Sequence, residues 1–264
     1  MLANSLTKWL RDNRRSLLIW AFAIAGVGGM YAAFWPTIDN PAMRDALANY
    51  PKALMDALNF NDIATPAGYL NASVYGLVVG VLVVVFAIQT GAKAISGEEE
   101  MGRLDLVLSY PITRNKLALQ RLGAFLVAAL GVSLLLWLVI LAETGPARLE
   151  DISVGHFAAM HLHLFLFATL FGSLAFGVGA ATGRRGWAIG VGSAVAVFGF
   201  AANGVLSQIS GLEWTRDLSP FQWLNGGSPL QNGVQGWDVL IMAGLAVLFA
   251  AAGLWGLNRR DIAV

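Results

Sequence analysis

Leu122-Gly-Ala-Phe-Leu-Val-Ala-Ala-Leu-Gly-Val-Ser-Leu-Leu-Leu-Trp-Leu-Val-Ile-Leu-Ala142 is a run of 21 residues without a charge. A bilayer's hydrocarbon core, about 30 Å thick, is crossed by roughly 20 apolar residues of helix, because every backbone polar group must find its partner within the segment. The run therefore reads as a transmembrane helix. Five more stretches share its length and character, at approximately 17–35, 69–95, 157–182, 187–207 and 237–257. None has an Asp, Glu or Arg in its apolar centre, and Lys93 sits near an end, where its stem can reach the interface. With 57% hydrophobic and 12% charged residues, the chain has the composition of an integral membrane protein. The expected fold class is an all-α integral membrane protein with six transmembrane helices, built as a single domain over 1–264.

The basic residues orient these spans. Lys8, Arg11, Arg14, Arg15, Lys93, Arg103, Arg114, Lys116, Arg121, Arg184, Arg185, Arg259 and Arg260 fall on one side of a six-span topology, and only Arg44, Lys52, Arg148 and Arg216 on the other. Thirteen against four is a positive-inside bias, which places both termini of a multi-pass protein in the cytoplasm and the spans in the cell membrane. The net charge of +1 hides this asymmetry and gives no basis for nucleic-acid binding. The first apolar run is nearer twenty residues than the roughly 7–15 of a signal-peptide core, so it reads as a retained span. With no cysteine in the chain, disulfides and thiolate metal sites are excluded.

The connections carry their own signals. Leu2, Leu6, Trp9 and Leu10 recur at helical spacing among the basic residues of 1–15, which predicts an amphipathic interfacial helix on the inner leaflet before the chain turns into the first span. The same pattern is also compatible with simple headgroup anchors. On the outer side, Pro41 and Pro51 each precede a short apolar periodicity and predict two short helices. The segment 208–236 sets Trp214, Phe221 and Trp223 among Gly, Pro and Asn, the pattern of an irregular or re-entrant element with interfacial aromatics. Gly76 with Gly80, Gly179 with Gly183, and Gly186 with Gly190 have the spacing that lets helices approach closely.

Between the second and third spans lies the one long charged stretch, Ser96-Gly-Glu-Glu-Glu-Met-Gly-Arg-Leu-Asp-Leu-Val-Leu-Ser-Tyr-Pro-Ile-Thr-Arg-Asn-Lys116. Ser96 and Glu99 form a capping-box pattern, and Glu98, Glu99 and Glu100 occupy a first turn, where the helix dipole favours negative charge. Met101, Leu104, Val107 and Leu108 would make one apolar face, with Glu100, Arg103 and Asp105 pointing away from it. Pro111 ends that helix, and Thr113 can cap the next, which runs from Arg114 into the third span. A cytoplasmic elbow over 96–116 is more chain than joining two spans requires. The residues alone leave two readings: a charged loop lying on the headgroups, or a surface made to be gripped by a partner.

The elbow resembles the cytoplasmic signature of ABC-2 type transporter permeases, roughly acid-x-acid-x-Gly-Thr-x-acid-x-Leu-Leu-x-x-Pro-[Val/Ile]-[Ser/Thr]-Arg. Glu98, Glu100, Gly102, Asp105, Leu108, Pro111, Thr113 and Arg114 match it, while Arg103 stands where Thr is common and Asp105 where Glu is common. The basic N-terminus, the six spans and the longer connection between spans five and six extend the likeness over nearly the whole chain. The resemblance implies that the elbow is a coupling helix, with Glu98, Glu99, Glu100, Gly102, Arg103, Leu104, Asp105, Leu108, Pro111 and Arg114 meeting a separate ABC ATPase subunit. It also implies a second permease subunit, identical or related, since six spans are half of the usual twelve. No Gly-x-x-x-x-Gly-Lys-[Ser/Thr] phosphate loop occurs, so no cofactor is expected on this chain, and ATP with its Mg would be held by the partner.

Other functions find less support. His156, His161 and His163 cluster near the outer start of the fourth span, but residues two apart do not share a helical face, so satisfied histidines are favoured over a metal site. Neither a Gly-x-Ser-x-Gly elbow nor a His-Glu-x-x-His pair is present, and no catalytic residue is assigned. Ion-coupled secondary transport usually draws on carboxylates near the midplane, whereas Asn71, Gln89 and Asn203 are uncharged and suit interhelical hydrogen bonds. A passive channel or structural membrane protein with a partner-docking loop remains the alternative. Spans rich in Leu, Val, Phe, Gly and Met suit efflux of a hydrophobic or amphiphilic molecule such as a drug, an antibiotic or a lipid-like compound.

Overall fold

The computed structural model describes residues 5–42, 62–100 and 112–260, together with positions 45, 49, 51, 55 and 102. Six helices are long and apolar enough to cross a membrane. They are α1 (Ser5–Ala33), α2 (Pro66–Lys93), α3 (Arg114–Glu143), α4 (Val154–Thr182), α5 (Arg185–Asn203) and α6 (Gly236–Arg259). No strand occurs among the described residues, and each helix overlaps a span expected from the sequence.

Local chemistry sets several of their ends. The Thr113 hydroxyl accepts from the Lys116 amide at 3.3 Å and starts α3, and Ser153 does the same for α4 through the His156 amide at 3.2 Å. Such caps satisfy amides that have no intrahelical partner. At the other end of α4, Gly183 takes φ +70° while its amide bonds the Gly179 carbonyl, a left-handed stop that favours glycine.

The bundle is organised around α4, which packs on α2, α3, α5 and α6, while α1 lies mainly along α3. In the most apolar stretch of α4, 72% of residues are buried inside the chain, against 28%, 17% and 22% for α1, α5 and α6. Three helices therefore show most of their surface to lipid or to another protein. Glycines allow two close crossings. A Cβ on Gly91 of α2 would run into the Gly172 carbonyl of α4, and one on Gly177 of α4 would run into the Phe249 carbonyl of α6. These backbones meet because neither crossing carries a side chain.

Two expectations change. Residues 5–15 do not form a separate interfacial helix; they are the first turns of α1, which is continuous from Ser5. Nothing between Ser5 and Ile24 breaks a helix, Trp9 is fully buried, and the Ser5 amide donates to Gln120 Oε1 of α3, so α3 holds the segment in line with the span. At about 1.5 Å per residue, the 29 residues of α1 outreach a 30 Å core, and the basic first turns stand clear of it. The second change concerns 208–236. The chain folds back as short turns, including Pro220–Asn225, but Phe221 and Trp223 face inward instead of anchoring at the interface. Phe221 meets Phe167 and Phe200 edge-on, with centroids 5.1 and 5.3 Å apart, and only Trp214 of the three aromatics is exposed. The two helices expected after Pro41 and Pro51 fall mostly outside the described residues.

Candidate functional site

Of the elbow, Ser96–Glu100, Gly102 and 112–116 are described, whereas Arg103, Leu104, Asp105, Leu108 and Pro111 lie outside the described residues. The elbow opens with a single helical turn, Ser96–Glu99. Ser96 does not cap it: the residue is fully buried, and its hydroxyl donates back to the Ala92 carbonyl of α2 at 2.6 Å. The capping box is thus replaced by a joint to the preceding span. Gly102, at φ +64°, then turns the chain with its amide on the Glu99 carbonyl at 2.9 Å, a backbone conformation that costs other residues strain.

Three consecutive glutamates reach three different helices. Glu98 accepts from Arg121 Nη2 of α3 at 2.5 Å, and that arginine is only 2% exposed. Glu99 takes both terminal nitrogens of Arg260, just beyond α6, at 2.5 Å each, in the two-pronged geometry that suits guanidinium and carboxylate. Glu100, although exposed, accepts the backbone amide of Arg185 at 2.8 Å, at the first residue of α5. The carboxylates expected to serve a partner are thus engaged within the chain itself. They fasten the start of the elbow to α3, to α5 and to the end of α6.

The far side of the elbow continues the same network. Arg114 Nη1 donates to the carbonyls of Leu257 at 3.3 Å and Arg260 at 2.8 Å, supplying donors where the last turn of α6 leaves its carbonyls free. Arg260 Nε donates to the Ala180 carbonyl of α4 at 2.8 Å, and Asn258 Nδ2 to Asn115 Oδ1 at 2.6 Å. Gly183 makes room for the cluster: a Cβ there would sit 2.5 Å from Arg260 Nη1 and 2.7 Å from Glu99 Oε1. Every described element at this end of the bundle except α1 is tied to another through the elbow or its arginines.

The glutamates, Gly102 and Arg114 stand out in the sequence, whereas Arg121, Arg185 and Arg260 read there only as charges that orient spans. For Arg121 a signal existed, since a cation seven residues inside a helix that becomes a span needs a counter-charge. For Arg260, 161 residues away from Glu99, none did.

The opposite end is built differently. Residues Leu70–Val78 of α2 form a π-helix, and there Asn71 and Asn225 exchange hydrogen bonds, each side-chain amide donating to the other's backbone carbonyl at 3.1 Å. His163 holds the same turn from α4. Its Nε2 accepts from the Gln235 amide at 3.2 Å, which leaves Nδ1 to donate to the Trp223 carbonyl at 3.0 Å. His161 has Nδ1 on the Phe157 carbonyl at 2.8 Å and Nε2 at 3.4 Å from the Tyr75 hydroxyl. Both rings spend both nitrogens on the fold, the role favoured for them from sequence.

A third feature lies between the ends. Residues of α2 and α5, with Phe221 at its head, enclose a groove of about 460 Å³ walled by Val81, Val84, Val85, Ile88, Ile189 and Val197. Gln89 and Ser193 are its polar side chains.

No curated protein matches the chain. A family model does, over residues 2–258, and it describes the C-terminal domain of the multidrug efflux system permease Rv1217c. With six spans, a tied-in elbow and this match over nearly its whole length, the chain belongs to that permease family.

Proposed function

We propose that the chain is the membrane-spanning subunit of an ATP-driven, ABC-2 type exporter, lying in the cell membrane with both termini and the elbow in the cytoplasm. The observation that carries the reading is the attachment of Glu98, Glu99 and Glu100 to α3, to Arg260 at the end of α6 and to α5. A force applied to the elbow would reach three spans at once, as a power stroke delivered from outside the membrane requires. Residues 101–111 would then meet the ATPase, which holds ATP and Mg, and the three glutamates would pass the movement on. Binding of ATP biases two packings of the spans only by as much as it favours one of them.

Two further features support the reading. The family's name concerns multidrug efflux and a C-terminal domain, which fits a six-span module working beside another module. Little of α5 is covered within the chain, so a second permease subunit, identical or related, would find an apolar face ready to meet. The groove between α2 and α5 is of the size and character that takes a hydrophobic or amphiphilic small molecule.

The test is gentle-detergent purification of the full chain, with identification of whatever co-purifies and assay of ATP hydrolysis. A stoichiometric ATPase is expected, and its recovery should fall with Arg103→Ala plus Asp105→Ala while Glu99→Gln leaves it in place and weakens the dependence of ATP hydrolysis on transported drug. A well-folded preparation without any ATPase would sink the proposal and leave a passive channel or structural protein.

A further inference from the structure

At the elbow end a second cavity, of about 100 Å³, opens between α1, α2 and α5. Its apolar wall is Trp9, Leu17 and Trp20 of α1, and facing them are Gln89 and Lys93 of α2 and Arg185 of α5. No Asp or Glu lines it. Two cations share this space, and their hydrogen-bonding capacity is largely unspent. Among the described residues Lys93 makes no hydrogen bond or ion pair. Arg185 gives Nη2 to Gln89 Oε1 at 3.2 Å, which aims its guanidinium, but its buried Nε has no partner. Glu100 does not answer this charge, since it takes the backbone amide of Arg185 and not the guanidinium.

Two like charges in one partly buried cavity repel each other, and an anion placed between them turns that repulsion into two attractions. A guanidinium fork beside an ammonium suits a phosphate, whose oxygens accept from both. The cavity has room for such a group, being several times the volume of a water. Its surroundings indicate where the phosphate comes from. The site lies between three membrane-spanning helices, beside the charged ends of α2 and α5, where phospholipid headgroups are the phosphates at hand.

We propose that this cavity binds the phosphate of an anionic phospholipid from the leaflet at the elbow end, held by Lys93 and Arg185 and flanked by Trp9 and Trp20. The site shares Gln89 with the α2–α5 groove and Arg185 with the Glu100 attachment but uses neither the groove's apolar wall nor a carboxylate, and it stands whether or not an ATPase drives the protein. A lipid seated there would wedge α1 against α2 and α5, so its presence would set how freely α5 moves.

Native mass spectrometry of the full chain tests it, with phosphatidylglycerol, phosphatidylcholine or inorganic phosphate added. One phosphatidylglycerol per chain is expected, retained about tenfold more tightly than phosphatidylcholine, with no retained phosphate ion; Lys93→Gln with Arg185→Gln should lower that retention by roughly 10–100-fold. Lys93→Arg keeps the charge and should bind as the native chain does, which separates loss of the site from loss of the fold. Arg14→Gln with Arg15→Gln removes the same charge from exposed positions on α1 and should change retention by less than about threefold. Equal losses in the two double variants, or none in either, overturn the site. Inorganic phosphate bound as tightly as the lipid and with the same variant dependence overturns the lipid source.

Discussion

At the elbow end the helices are joined by charges, whereas at the opposite end the joints are neutral. Glu98 with Arg121 and Glu99 with Arg260 close the first, and Asn71 with Asn225 and His163 with Trp223 and Gln235 close the second. Each charged joint sets a buried partner against one that water and competing ions can reach: Arg121 and Glu99 are 2% and 7% exposed, Glu98 and Arg260 20% and 18%. The neutral joints are buried, and opening them would strand amide groups away from water. The difference teaches that one end is held by charges, which salt can weaken, and the other by neutral hydrogen bonds, which it leaves alone.

The contrast can be broken from either side. The largest effect is expected from Glu98→Ala, which leaves the buried Arg121 guanidinium without its counter-charge. Removing one partner of a buried pair costs about 3–5 kcal/mol, so unfolding in detergent should shift by that order. The double change Glu98→Ala with Arg121→Met should recover most of the loss. A double variant no more stable than the single one would show that the arginine is not the source of the cost.

Asn225→Ala tests the neutral end. It removes the donor to the Asn71 carbonyl and empties the space beside Gly76, where the Asn225 side chain fits because no Cβ intervenes. A loss of about 1–3 kcal/mol is expected. It should be the same at low and high salt; a loss that shrinks as salt rises would contradict the neutral character assigned to this end.

The smallest and most informative change is Glu99→Gln. It weakens a partly exposed bidentate pair, and a loss of about 1–2 kcal/mol is expected at low salt, shrinking in 1 M salt where charges are screened within roughly 3 Å. If the variant proves as salt-insensitive as Asn225→Ala, the two ends do not differ in kind.

The six spans and the place of the elbow were legible because both depend on local composition: a run long enough to cross the bilayer, and one charged stretch between two such runs. Ser96 shows where local rules stop. Its spacing to Glu99 is right for a capping box, yet burial turned its hydroxyl to the Ala92 carbonyl. By residue type Phe221 and Trp223 read as interfacial, but the chain folds back and carries them inside. Arg121, Arg185 and Arg260 read as charges alone, and nothing in sequence says which glutamate each would meet.

What the sequence by itself determined is therefore the membrane class, the number of spans, the asymmetry of charge between their ends and the position of the charged elbow. The tertiary structure alone decided that α4 is the central helix, that consecutive glutamates reach α3, Arg260 just beyond α6, and α5, and that the turns around Asn225 close over a π-helical stretch. The physical reason lies in the solvent. In water, burial follows hydrophobicity, but lipid is as apolar as a protein interior, so hydrophobicity does not say which faces meet. Among these helices α3 is more hydrophobic than α4 and yet less buried. Shape decides instead, through glycines that let backbones touch and polar side chains that find partners far away in sequence.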